Sequence, residues 1–479
     1  MLSAIGQLTP PSPSKSDLYK ALEVAKNRAQ RQFKPQLITI AFDIPTVDPL
    51  SIFSQIKHQE IASFYWEKSD RKYATMAMDS AIKLTLTGPH RFQKVRNWIQ
   101  HNSNTLIHTR PNDPLAQPHF FCGFPFLDHP SESTVFLPRW QINTSKNPSP
   151  GDHPRTVAIL NCTVAPNDSL DQQWQQYQAQ LNQLQAWGSA DLHRNISLAP
   201  FQSWDNDQLG DGQAFVDSVR QAIADIQNGH LRKIVLSHSL DLPLSAPTNP
   251  ATLLHNLRQR YPHCYTFAIS TGTGQTFLGA SPECLAYVNR NGDQRYLHTE
   301  ALAGSAPRGT TPAADKILGS RLLNSKKDRH EHHLVTEFIL ERLQQLGIKI
   351  DILPPPQLRK LANIQHLHLP LATPLPPHLS PLDAVAALHP TPAVAGLPQT
   401  EAIARISQYE SGDRGFYAGP IGWVDGQGQG EFAVGIRSAL VTGDQAKLRA
   451  GAGIVVGSDP LKELAEVRLK LQALLAALV

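Results

Sequence analysis

Near the C-terminus, Glu463, Glu466 and Lys470 follow a stretch of small residues, Arg449-Ala-Gly451-Ala-Gly453-Ile-Val-Val-Gly457-Ser-Asp459-Pro460. Asp459 suits a helix N-cap and Pro460 the first helical position. The three charges then share a narrow stripe of one helix, at 3.6 residues per turn. Two carboxylates suit a hard divalent cation, and an ammonium beside them suits a small carboxylate ligand. The small-residue segment is expected to be a turn offering bare backbone amides. The same spacing also describes an ordinary Glu466–Lys470 couple on a solvated helix face, so other segments must decide.

Lys233 opens the run Lys233-Ile-Val-Leu-Ser-His-Ser-Leu240, whose alternation reads as a strand. A lysine there marks either an exposed sheet edge or a partly buried amine whose pKa desolvation lowers, so that neutral lysine can work as a general base. Glu283, in Gly279-Ala-Ser-Pro-Glu-Cys-Leu285, falls at a strand-to-strand turn, where a carboxylate is either solvated or aimed at a fixed point. Glu331 shares a helical face with Leu334, Val335 and Phe338. That face should be buried, and an unpaired carboxylate on it is costly unless a metal or a base relieves it. The neighbouring His330, His332 and His333 lack H-E-x-x-H spacing, and an oxygen-rich set suits magnesium rather than zinc.

Three further segments could hold a ligand. Thr299-Glu-Ala-Leu-Ala303-Gly304-Ser305-Ala-Pro-Arg-Gly309 reads as a small-residue loop able to bring its backbone close. Leu388-His389-Pro-Thr-Pro-Ala-Val-Ala-Gly396 reads as another loop. Gly428-Gln-Gly430-Glu-Phe-Ala-Val-Gly-Ile436-Arg437-Ser438 reads as a strand ending in an arginine that could fork a carboxylate.

The elements that must position these residues are mixed. Apolar spacing predicts a helix over 213–227, stopped at Asn228-Gly229. Strands are expected at 264–270, 275–279, 284–289, 417–424, 430–440 and 446–450, and a polar helix over the Gln-rich 172–185. Short strands joined by turns, with a few long helices, indicate α+β with antiparallel sheets packed on helices. Proline clusters punctuate the chain: a leader over 1–15, a loop at 143–154, and breaks at 243–250, 354–356 and 370–381.

Composition narrows the function. The 479 residues are 41% hydrophobic and 18% charged, which suits a globular protein with a large core. A net charge of +4, without basic runs or interleaved aromatics, argues against nucleic acid. The four cysteines have no C-x-x-C spacing, no secretory signal precedes them, and no apolar run reaches the roughly 18 residues of a membrane span. A cytoplasmic protein with reduced thiols is expected.

Taken together, these segments resemble the chorismate-utilising enzymes: isochorismate and salicylate synthases and the large components of anthranilate and aminodeoxychorismate synthases. The resemblance runs in order across 205–476. Before residue 200 it is looser, through Phe64-Tyr65-Trp66-Glu67, Phe120-Phe-Cys-Gly123-Phe-Pro-Phe126 and Leu137-Pro-Arg139. It implies an α/β/β/α fold with a divergent N-terminal portion (1–200) on a chorismate-binding core (205–476). Lys233 places the chain with the branch that carries a water-activating lysine, of which isochorismate synthase is nearest. By resemblance, Lys233 and Glu283 are base and acid; Glu331 and Glu466, with Glu463 nearby, hold magnesium. Gly304, Ser305, His389, Ile436, Arg437, Gly451 and Lys470 hold the substrate. The implied enzyme is an isomerase making isochorismate for menaquinone or phylloquinone, a monomer without a glutaminase subunit. A salicylate synthase and an inactive chorismate-binding relative are the alternatives.

Overall fold

The structure, a computed structural model, describes residues 15–56, 60–145, 154–188, 212–244, 249–350 and 353–478. The leader, most of the loop at 143–154, the centre of the break at 243–250 and the division near 200–205 lie outside them. Among the described residues are nineteen strands and eleven α-helices. The helix predicted over 213–227 is Gln213–Gln227, ending at Asn228, and the Gln-rich segment lies in Leu170–Gly188.

The strands form two antiparallel arms that share one long strand, Ser133–Ser145. One edge of it pairs with Tyr73–Leu86. The other pairs with His119–Gly123 near its start and Arg155–Val164 near its end. The first arm continues through Ala62–Lys68, Tyr265–Thr271, Thr276–Ser281, Ser438–Thr442 and Gln445–Ile454 to Lys233–Pro243. The second runs through Pro420–Asp425, Gly430–Val434, Cys284–Asn291 and Gln294–Pro307 to Ile364–Pro374. Their inner faces meet: Phe64 packs on Phe121 with centroids 4.6 Å apart, and Trp66 Nε1 donates to Glu431 at 3.0 Å. Helix Lys326–Gln345 packs on Gln294–Pro307, and helix Pro460–Leu478 on Gln445–Ile454. This is the expected α+β, α/β/β/α arrangement. Strands from before residue 200 pair directly with strands from after 205.

The chain crosses between arms at two short links. Pro282 and Glu283 join Thr276–Ser281 to Cys284–Asn291. Gly435, Ile436 and Arg437 join Gly430–Val434 to Ser438–Thr442, so the strand expected over 430–440 is broken there. Arg437 has φ +50°, a conformation uncommon outside glycine. The links are tied together: Val434 N donates to Glu283 O at 3.2 Å, and Ala280 N to Arg437 O at 3.0 Å.

Two expected loops are strands. Residues 299–307 lie in Gln294–Pro307, where the register shifts between Ala303 and Ser305 and Gly304 has φ +77°, a bulge that only glycine enters freely. Residues 449–453 lie in Gln445–Ile454, with Gly451 opposite Ser237 and Gly453 opposite Val235. Glycines serve there because neighbouring groups approach the backbone closely.

Candidate active site

Both crossings, the bulge and two helix faces open onto one cavity. It is lined by Glu283, Gly304, Ser305, Glu331, Ile436, Arg437, Gly451, Glu466 and Lys470, nine of the residues singled out in the sequence. Lys233 stands just behind the wall. It is fully buried and flanked on both sides, by Leu397 in one register and through Ile234–Ile454 in the next, so it is not an edge lysine. Its Nζ lies 3.0 Å from Glu331 Oε1. The pair is within ion-pair distance, yet the lysine nitrogen has no well-aligned hydrogen bond among the described residues. Gly453 leaves room for the two to meet: a Cβ there would collide with the Glu331 carboxylate and lie 3.2 Å from Lys233 Cε.

Ser325 starts the Glu331 helix, its hydroxyl accepting from Asp328 N at 3.2 Å. Asp459 starts the C-terminal helix, accepting from Leu461 N and Lys462 N at 3.0 Å. These caps fix where each carboxylate emerges. Burial tends to raise the Glu331 pKa, but Lys233 and then Lys327 outweigh it and hold the carboxyl below its usual range. Glu283 goes the other way. Burial, reinforced by the charge of Glu300, pushes it up to about 8, so it is protonated at neutral pH.

Arg437 is buried and donates from Nη2 to His366 Nε2 at 2.7 Å. Its Nη1 has no hydrogen-bond partner among the described residues. A buried guanidinium nitrogen left open in this way suits a carboxylate ligand. Lys470 Nζ bonds Gly451 O at 2.8 Å and Glu466 Oε1 at 2.7 Å.

Two expectations are corrected. His389 does not line the cavity: its Nε2 bonds Phe126 O at 3.0 Å and its ring packs edge-on against Phe92 and Phe126. Ala393 and Val394 of the same loop take the wall position. Glu463 is not among the cavity-lining residues: Lys327 Nζ holds its buried carboxylate at 2.5 Å, and it stays in electrostatic contact with Glu466. Of the histidines near Glu331, His332 turns to Ala301 O and His333 to Glu337, so they do not converge.

Two lining residues were not anticipated. His366 accepts from Arg437 through Nε2, which leaves Nδ1–H to donate to Ser305 Oγ at 3.0 Å. Burial and then Arg437 hold this imidazole well below its usual pKa, so it is neutral. A polar cluster inside the strand Ile364–Pro374 (Gln365, His366, His368) was the available signal. Tyr417 brings its hydroxyl to 3.2 Å from where a Cβ on Gly451 would lie.

The donor set can be tested for magnesium. Among the described residues no three His, Cys, Asp or Glu side chains form a ready-made metal cluster. Magnesium does not require one, since it keeps several waters and is commonly held by one or two carboxylates with an anionic ligand. Glu331 and Glu466 supply those two at the cavity wall. Four acids meet three lysines here. Lys233, Lys327 and Lys470 pair with Glu331, Glu463 and Glu466, while Asp328 is pushed up by burial and by Glu331 and Glu466. The hard oxygen donors fit a divalent cation.

Comparison with known proteins agrees with this geometry. A profile described as "Chorismate binding enzyme" matches residues 21–479. The chain is similar to a salicylate biosynthesis isochorismate synthase from Pseudomonas aeruginosa, 31% identical over 99% of this chain and 97% of that one. It is similar to the isochorismate synthase MenF of Bacillus subtilis, 29% identical over 96% of each. Among solved structures it resembles the menaquinone-specific isochorismate synthase MenF of Escherichia coli, with TM-score 0.73 and 26% identity, covering 96% of this chain and 100% of that one.

Proposed function

The chain belongs to the chorismate-binding enzyme family, and from that premise we propose that it is an isochorismate synthase, an isomerase that converts chorismate to isochorismate. The observation that carries the reading is a protonated buried acid, Glu283, on the same cavity as Glu331, whose partner is the buried Lys233. Lys233 is the base: in its neutral form it takes a proton from the water that attacks C2 of the ring. Glu283, as acid on the opposite face, gives its proton to the hydroxyl leaving C4. The double bonds shift as the new C–O bond forms and the old one breaks. Base and acid are needed together, and each must be in the right protonation state near neutral pH.

Arg437, through its open Nη1, and Lys470 receive the substrate's carboxylates, aided by the backbone at Gly304 and Gly451 and by Ser305. His366 keeps the Arg437 fork in place. Glu331 and Glu466 would hold magnesium, which supplies positive charge for the ring carboxylate. Residues 205–476 carry all of these groups, and the first 200 residues complete the sheets. The product is proposed to feed menaquinone or phylloquinone synthesis, and the enzyme to act as a monomer without a glutaminase.

Incubation of purified protein with chorismate and magnesium, followed by chromatography, tests the assignment. Isochorismate as the sole product is expected. Salicylate with pyruvate would instead support a salicylate synthase, and unconsumed chorismate an inactive relative.

A further inference from the structure

Behind Glu283 lies a second buried carboxylate that is not among the residues lining this cavity. Glu300 sits on the strand Gln294–Pro307 with its carboxylate fully engaged. Oε1 accepts from Cys284 N at 2.7 Å and from Arg359 Nη1 at 2.8 Å. Oε2 accepts from Arg359 Nη1 at 2.7 Å and lies 2.7 Å from His368 Nε2. The Cys284 amide belongs to the peptide bond that immediately follows Glu283. A buried ion pair is rarely the cheapest way to fill space, and apolar residues of similar size often serve stability as well or better. Its position suggests a different use.

Resting on the reading of Glu283 as the acid, we infer that Glu300 is a positioning residue for proton delivery: it clamps the crossing that aims Glu283, and it keeps a fixed negative charge beside it. Clamping follows from two bonds to the Glu283–Cys284 peptide group: its N–H donates to Glu300 and its carbonyl accepts from Val434 N. The charge is fixed because Arg359 and His368 keep Glu300 ionised, against the opposing effect of burial. That charge opposes ionisation of Glu283, while Lys233, Arg359 and Lys470 favour it; Tyr417 is also in electrostatic contact with it. Glu300 and Arg359 therefore act on the acid with opposite signs.

The kcat/KM–pH profiles of wild type, E300Q and R359Q between pH 6 and 10 test the inference, with melting curves to confirm folding. The alkaline limb reports the acid. E300Q should move it down by roughly one pH unit, the scale of one nearby charge. R359Q should move it up. If E300Q does not fold, H368Q, which removes a bond that helps keep Glu300 ionised, should likewise move the limb down, and a limb that stays put there would overturn the inference. E300Q and R359Q limbs that stay put, or that move in the same direction while rates fall, would overturn the inference and leave Glu300 a structural residue. If wild type makes no isochorismate, the assignment of function fails instead, which is a separate result.

Discussion

Gly453 shows how tightly single positions constrain this cavity. It looks in the sequence like one of several interchangeable small residues, yet its missing side chain is the space in which Glu331 and Lys233 meet. Gly453→Ala should displace one of the two and lower kcat/KM by at least about tenfold, the effect of a reacting group moved by a fraction of an ångström to an ångström. Unchanged kinetics would show that the pair is not needed in this geometry. Removing the acid or base itself should cost more: Lys233→Ala and Glu283→Gln are each expected to lose at least about 10²-fold in kcat, the scale of general acid–base groups. Wild-type turnover in either would remove that role. The sign of the pH dependence follows from Glu283. An acid must be protonated to donate, so turnover should fall as pH rises through about 8, where this buried carboxyl ionises. A profile flat to pH 10 would contradict it.

At the level of elements, the crossings between arms make the site. Glu283 and Arg437 stand at the two short links where the chain passes between sheets, which explains why a strand-end acid and a strand-end arginine face one cavity. Helix starts and amphipathic faces were legible because they are local: Asp459 and the 213–227 periodicity act within a turn or two. The bulge at Gly304 and the strand through Gly451 and Gly453 were read as loops, because small residues look alike until the neighbour that crowds them is known. His389 and Glu463 were misplaced for a related reason. Their partners, Phe126 and Lys327, lie 263 and 136 residues away. A similar long-range brace holds the Lys233 strand. Glu410 accepts from Ser237 N at 2.6 Å, from Arg414 Nε at 2.9 Å and from Arg449 Nη1 at 3.2 Å, all buried or nearly so. Glu410→Ala would strand two buried guanidinium groups and should cost about 3–5 kcal/mol in denaturant unfolding. A loss under 1 kcal/mol would show the brace to be redundant.

For the whole molecule, the fold class and the family were visible in the sequence, whereas the sharing of Ser133–Ser145 by both arms was not. Register between strands more than a hundred residues apart is set by side-chain packing across the sheets, such as Phe64 on Phe121. On the proposed reading, the sandwich would hold a flat diene acid between a base on one arm and an acid at the crossing to the other. Such an arrangement implies that the new hydroxyl comes from bulk water and the old one leaves. Turnover of chorismate in H2(18)O with magnesium, read by mass spectrometry of the isochorismate at low conversion, measures this directly. One heavy oxygen per product molecule at C2 is predicted; unlabelled isochorismate would mean that the hydroxyl migrates within the ring and that Lys233 activates no water.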